Sequence, residues 1–205
     1  ALPNYVNGEF DVVCVCDTSG SMMCNNYQPI STAVGLGIYF AQRNKGAFHN
    51  LFMTFSSNPT IQKIQDDWEL DQCVDYVLKS DWGMSTNLDK SFKLIYDIAV
   101  KAHEAPKAIA ILSDMEIDAW GSKDMAESIT EKWNKKFVEA GLECPKLIYW
   151  NIESRHGNVL SQCTDNVAYC SGYGIGSFKF FQTLIDKSAV EAMMEILTQP
   201  AFCWK

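Results

Sequence analysis

Two rhythms of apolar residues alternate along this chain. Residues 10–17, FDVVCVCD, form a β-branched apolar run that stops on an acid, the mark of a buried strand. From Ile30 to about Phe48 the apolar positions Ile30, Ala33, Val34, Gly37, Phe40 and Ala41 recur at helical spacing. LFMTFS (51–56) predicts a second buried strand. The SSNP turn and alternating TIQKI after it predict a hairpin to an edge strand. ELDQCVDYVLKS predicts a short helix, and Leu88, Phe92, Ile95, Ala99 and Ala102 step by four and three through a longer one. KAIAILSD (107–114) is a further apolar strand ending on an acid. A helix from about Lys123 to Ala140 should bury Met125, Ile129, Trp133 and Phe137. KLIYWNI (146–152) and NVAYCSGY (166–173) complete the strands, and the C-terminal part reads as helical around Val190, Met193, Met194 and Leu197.

Strands alternating with helices of 10 to 18 residues predict an α/β fold. Its architecture is a three-layer, Rossmann-like open sheet, mostly parallel and covered on both faces. With 205 residues, 47% of them hydrophobic, the chain can bury one sizeable core. We therefore read residues 1–205 as a single domain. The first residue is not Met, so an excised piece, the C-terminal part of a larger protein, is expected. No apolar run approaches the ~18 residues that cross a membrane.

A net charge of −8 argues against a general phosphate-binding surface. The densest basic run, KWNKKF at 132–137, reads as the solvated face of an amphipathic helix. The eight cysteines show no framework spacing, no CxxC and no Cys/His pair at zinc spacing. Reduced, mostly buried thiols are expected, with Cys163–Cys170 as a pairing open only to an oxidising setting. The histidines His49, His103 and His156 read as ordinary surface residues, and Met22, Met23 and Trp150 as core or rim packing.

Function in such sheets collects where strands end and helices begin. Three of these ends are rich in oxygen: Asp17, Ser19 and Ser21 after the first strand, Thr86 in GMSTN, and Asp114 after KAIAILS. Carboxylates and hydroxyls without His or Cys suit a hard cation, and so few carboxylates favour Mg²⁺ or Mn²⁺ over a deeply caged Ca²⁺. Gly20 would permit the bend of the first loop. A Ser/Gly loop before a helix is also an N-cap or an anion nest. Thr86 alone is more often a helix cap for NLDKSF than a ligand, so its assignment leans on the other two loops.

DTSGSM, the GMSTN threonine and the ILSD aspartate together resemble the metal-ion-dependent adhesion site (MIDAS) of von Willebrand factor type A (vWA) domains. The resemblance runs over nearly the whole chain and implies about six strands, the hairpin strand antiparallel at one edge. It implies that Ser19, Ser21 and Thr86 bind the metal through their hydroxyls, and that Asp17 and Asp114 hold it directly or through waters. Gly20, Asn87, Glu116 and Asp118 would stand behind or beside them. A partner protein would supply an acidic side chain to the last position. One departure is visible: glycine usually follows the third-loop acid in that family, whereas Met115 and Glu116 follow Asp114 here. Glu116 or Asp118 would then fill the open position or repel an acidic partner.

The free thiols and compact loops resemble the intracellular branch of the superfamily. That implies the cytoplasm, or the host cytoplasm for a viral protein. DTSGSM and LSDM also resemble the C-terminal domain of proteins from large DNA viruses and plants. In those a helical half similar to Ro/TROVE RNA-binding proteins comes first, so RNA would be reached only through such a half.

The expected function is a non-enzymatic, metal-dependent protein-interaction module with no membrane partner. The alternatives are a structural domain with a loop-stabilising metal and a metal-dependent phosphatase using Asp17 as nucleophile. Such phosphatases carry a second acid two residues on, where this chain has Ser19. A serine hydrolase is weaker still, for want of a G-x-S-x-G elbow and a His partner.

Overall fold

The computed structural model describes residues 5–6, 11–55, 58–79, 88–115, 123–153 and 166–199, without the side chains of 55 and 123–128. Six strands, β1 Val12–Asp17, β2 Leu51–Phe55, β3 Ile61–Lys63, β4 Ala108–Ser113, β5 Lys146–Asn151 and β6 Val167–Ser171, form one sheet in the order β3-β2-β1-β4-β5-β6. Every neighbouring pair is parallel except β2–β3, the hairpin at the edge. The sequence expectation of a mostly parallel sheet with one antiparallel edge strand is borne out. β1 and β4 are buried along their whole length, as strands covered on both faces must be.

Among the described residues six α-helices cover the sheet: α1 Cys24–Ala41, α2 Leu70–Leu78, α3 Leu88–Ala102, α4 Lys123–Glu139, α5 Ile175–Asp186 and α6 Ala189–Leu197. Alternation along the strands divides the core in two. Val12, Cys14 and Cys16 pack with Ala33, Phe40, Val77, Phe181 and Leu184 on one face. Val13 and Val15 pack with Phe92, Ile95, Trp133 and Phe137 on the other.

α1 meets the sheet at Gly37. A Cβ there would lie 2.5 Å from Cys16 Sγ and 2.6 Å from a ring carbon of Phe52, so only glycine lets the helix approach this closely. The regular part of α1 begins near Pro29, a residue suited to a first helical turn. The three residues before Gln28, namely Asn25, Asn26 and Tyr27, are all left-handed. α1 stops at Ala41, short of the expected Phe48. Asn44 then turns its amide onto β1, accepting from Val12 N at 3.0 Å and donating to Val12 O at 2.8 Å. Phe48 sits in a separate 3₁₀ turn and packs on the opposite face from α1. Its apolar character mimicked a helix it does not belong to.

The C-terminal region holds two helices. α5 sends Phe181 and Leu184 into the core, while α6 buries Ala192 and leaves Val190, Met193, Met194 and Leu197 exposed. Ala102 at the end of α3 is exposed as well. Trp133 and Phe137 are buried as expected, whereas Met125 lies outside the described side chains. The run 132–137 is a solvated face around those two aromatics.

His49 departs from the plain surface reading: its ring nitrogens lie 2.6 Å from Asn44 O and 2.8 Å from Asp66 Oδ1. His156 lies outside the described residues. Met22 and Trp150 are core residues, and Met23 is exposed. The six described cysteines are free thiols. Burial pushes the Cys14 and Cys16 thiols far up and the Cys170 thiol up to about 12. Cys170 Sγ donates to Ser177 O, and Cys163 lies outside the described residues. Among the described residues no helix is long and apolar enough to cross a membrane.

Gly37→Ala tests the close approach of α1. Overpacking a tight contact costs about 1–3 kcal/mol, so urea denaturation should show a loss of that size. An unchanged midpoint would mean that helix and sheet can separate freely.

Candidate metal centre

The strand order reverses direction between β1 and β4, and in open α/β sheets the crevice at that reversal is where ligands sit. Cys16 pairs with Leu112 across these strands, so Asp17 and Ser113 stand side by side at their C-terminal ends. Asp17 follows Val15 by two residues, and Ser113 follows Ile111 likewise. Both therefore project to the α3/α4 face of the sheet.

Asp17 is fully buried and both of its oxygens accept hydrogen bonds. Oδ1 takes Ser19 N–H at 2.8 Å, an Asp-anchored turn two residues long. Oδ2 takes the Ser113 hydroxyl at 2.5 Å. Ser113 Oγ in turn accepts Met115 N–H at 2.9 Å, so one hydroxyl ties the first loop to the third. The Ser19 and Ser21 hydroxyls lie 3.0 Å apart, and Asp114 is buried just past the end of β4. The Thr18 hydroxyl is buried and has no hydrogen-bond partner among the described residues.

Burial pushes the Asp17 carboxyl up to about 6. Hydrogen bonds from Ser113 and Ser19 pull it back in part, and the Asp114 charge adds to the rise. No basic side chain acts on Asp17 among the described residues. Two acids thus lie at the ends of adjacent strands, one of them wholly out of water and without a counter-charge among the described residues.

Of the sequence-predicted site residues, the structure brings Asp17, Ser19, Ser21 and Asp114 to one end of β1 and β4. Thr86, Asn87, Glu116 and Asp118 lie outside the described residues. Gly20 does not carry the expected role. It is exposed, its φ is not positive, and a Cβ there would meet nothing within 4 Å. The bend comes instead from extended Ser19 entering a 3₁₀ turn and from left-handed Asn25–Tyr27 further on.

The departure at Met115 has a backbone explanation. Met115 adopts φ +67°, a conformation that favours glycine. Its side chain is 3% exposed and belongs to the α3/α4-face core, so burial offsets the strain. Ser113 escaped the sequence reading because it looked like the last residue of an apolar strand. Its place two residues after Ile111, beside an acid on the neighbouring strand, was the available signal. No three His, Cys, Asp or Glu side chains converge among the described residues, which leaves hydroxyls as the other donors.

These features are those of a vWA-type α/β domain in fold. The chain belongs to the family described as Domain of unknown function (DUF7788), whose model matches residues 11–199. It is 28% identical over 198 residues to "Uncharacterized protein L728" of Acanthamoeba polyphaga mimivirus, covering 93% of this chain and 34% of that protein. The fold is similar to that in the crystal structure of the Deinococcus radiodurans RO (RSR) protein. There the TM-score is 0.61 at 14% identity, over 86% of this chain and 34% of the other. The chain thus spans about a third of the length of each.

Asp17→Asn tests the buried charge. A carboxyl raised from 3.8 to about 6 in the fold makes the metal-free protein gain stability as pH falls through 6 towards 4. At neutral pH the ionised group is held at a cost of roughly 3 kcal/mol. In EDTA at pH 7.5 the Asn variant should therefore melt higher than the parent, with the gap closing by pH 4. A lower melting temperature at pH 7.5 would show that the fold already compensates the charge.

Proposed function

We propose that this domain is a non-enzymatic protein-interaction module whose strand-end site takes a divalent cation: Mg²⁺, with Mn²⁺ or Ca²⁺ as alternatives. One observation carries the reading: Asp17 is fully buried next to Asp114, with no basic side chain acting on it among the described residues. Such a group calls for a proton or a cation. The donor set around it, two carboxylates and the Ser19 and Ser21 hydroxyls, is the chemistry of a hard cation.

Ser19, Ser21 and Thr86 would hold the ion through hydroxyls, and Asp17 and Asp114 directly or through waters, in a MIDAS-type arrangement. Thr86 enters by its place in the order of loops. Mg²⁺ keeps coordination positions for water, and bound there it would offer one to an outside ligand. An acidic side chain from a partner protein fits that position. Glu116 and Asp118, close behind Asp114 in sequence, are the residues of this chain that would compete for it.

The chain's own residues favour binding over turnover. Both Asp17 oxygens already accept hydrogen bonds, from Ser19 N and Ser113 Oγ. That orients the carboxylate and supports reading it as a ligand rather than a nucleophile. Ser19 stands where a phosphatase would keep its second acid. An intracellular setting, with RNA reached only through a separate helical part of a longer polypeptide and no membrane partner, belongs to the same proposal.

At pH 7.5, millimolar Mg²⁺ or Mn²⁺ should raise the melting temperature, by about 2.7 kcal/mol of stabilisation at a hundred times Kd. The gain should shrink towards pH 5, where a proton competes for Asp17, and should be smaller in Thr86→Ala. Absence of any shift in both metals at pH 7.5 contradicts the cation reading. Steady phosphomonoester hydrolysis abolished by Asp17→Asn would replace it with the phosphatase.

A further inference from the structure

The polar row at the C-terminal edge of the sheet does not end with Asp17 and Ser113. Ser113 pairs with Asn151 on β5, and Asn151 pairs with Ser171 on β6. Asn151 follows Leu147 and Tyr149 by steps of two, and both of those belong to the α3/α4-face core. Asn151 therefore projects to the same face as Asp17 and Ser113. Four consecutive strands close that face with Asp17, Ser113, Asn151 and Ser171 in register.

Asn151 is the unusual member. Its side-chain oxygen is buried and has no hydrogen-bond partner among the described residues. Ser113 cannot supply one, because its single hydroxyl proton already goes to Asp17 Oδ2. The backbone of Asn151 is fully engaged in the sheet, with Gly172 N–H donating to its carbonyl at 2.8 Å. A buried acceptor that lacks a donor is rare in a native fold and points to a ligand or an ordered water.

A hydrated Mg²⁺ presents only donors to its surroundings, the hydrogens of its bound waters. Such a water, about 2.1 Å from the ion, reaches an acceptor roughly 2.8 Å beyond it. The outer acceptors of the shell thus lie about 5 Å from the metal, about one ~4.8 Å strand spacing. Asn151 stands one strand from Ser113 and Asp114 but two strands from Asp17, so the water within its reach is one on the Asp114 side of the ion.

Resting on the cation reading above, we propose that Asn151 is a positioning residue of the metal centre, its side-chain oxygen accepting a hydrogen bond from a metal-bound water. It extends the site across β4 to β5 and orients the water that the partner's carboxylate would displace or bridge. Asn suits this place better than Asp. It offers the acceptor without adding a third negative charge to the Asp17 and Asp114 pair.

The test is Mn²⁺ titration of the 205-residue protein, read by the electron paramagnetic resonance of free Mn²⁺, beside metal-free melting curves. Asn151→Leu keeps the branched heavy-atom skeleton, at a somewhat larger volume, and removes the acceptor. It should weaken Mn²⁺ by about 10-fold, the scale for losing an outer-shell partner, with the metal-free melting temperature unchanged or higher. Asn151→Asp restores an acceptor and should bind Mn²⁺ at least as tightly as the parent. Wild-type affinity in Asn151→Leu overturns the proposal. So does weakened binding that tracks a lower metal-free melting temperature and is not rescued by Asp, since that is a structural role. Failure of the parent protein itself to bind Mn²⁺ refutes the cation reading, and this proposal falls with it.

Discussion

Two carboxylates at the ends of adjacent central strands constrain the rest of this molecule. β1 and β4 are hydrogen-bonded neighbours, so their C-terminal residues cannot separate. Asp17 and Asp114 are accordingly held together out of water. A structure built only for stability would place an apolar or paired residue at such a position, because an uncompensated buried charge is costly. Here the acid is kept and its oxygens are oriented, one by Ser19 N–H and the other by the Ser113 hydroxyl. On the reading proposed above, stability is given up here for an outside cation to return.

The two cores hold this arrangement in place. On one face α1 sits against Cys16 and Phe52 at Gly37, which fixes the loop between Asp17 and the helix. On the other face Met115 is drawn into the core in a left-handed conformation, which fixes the turn just after Asp114. The two loops are locked to each other by Ser113, whose hydroxyl is bonded to both. The strand-end residues are thus held by packing on both sides of the sheet.

Much of this was legible in the sequence. Apolar strands ending on acids, and helices whose apolar positions step by three and four, gave away the layers and the sheet's edge hairpin. The oxygen-rich strand ends pointed to the end of β1 and β4 where Asp17, Ser19, Ser21 and Asp114 stand. What escaped depends on long-range contact. Phe48 looked helical because periodicity does not say which face a residue packs on. α6 carries Val190, Met193, Met194 and Leu197 at helical spacing, yet it buries Ala192. Gly20 was credited with a bend that Ser19 and Asn25–Tyr27 make. Ser113 and Asn151 became visible only with the strand register, which puts residues 113 and 151 beside Asp17 from distant parts of the chain. Met115 was flagged as a departure, but its left-handed backbone is a property of the folded turn.

The most direct measurement is anomalous diffraction from crystals grown with Mn²⁺ at pH 7.5. A single strong peak should lie at the C-terminal ends of β1 and β4, coordinated by oxygens of Ser19 and Ser21 and held directly or through waters by Asp17 and Asp114. Crystals of the same form with no peak there, or with Mn²⁺ only at scattered surface carboxylates, would contradict the account.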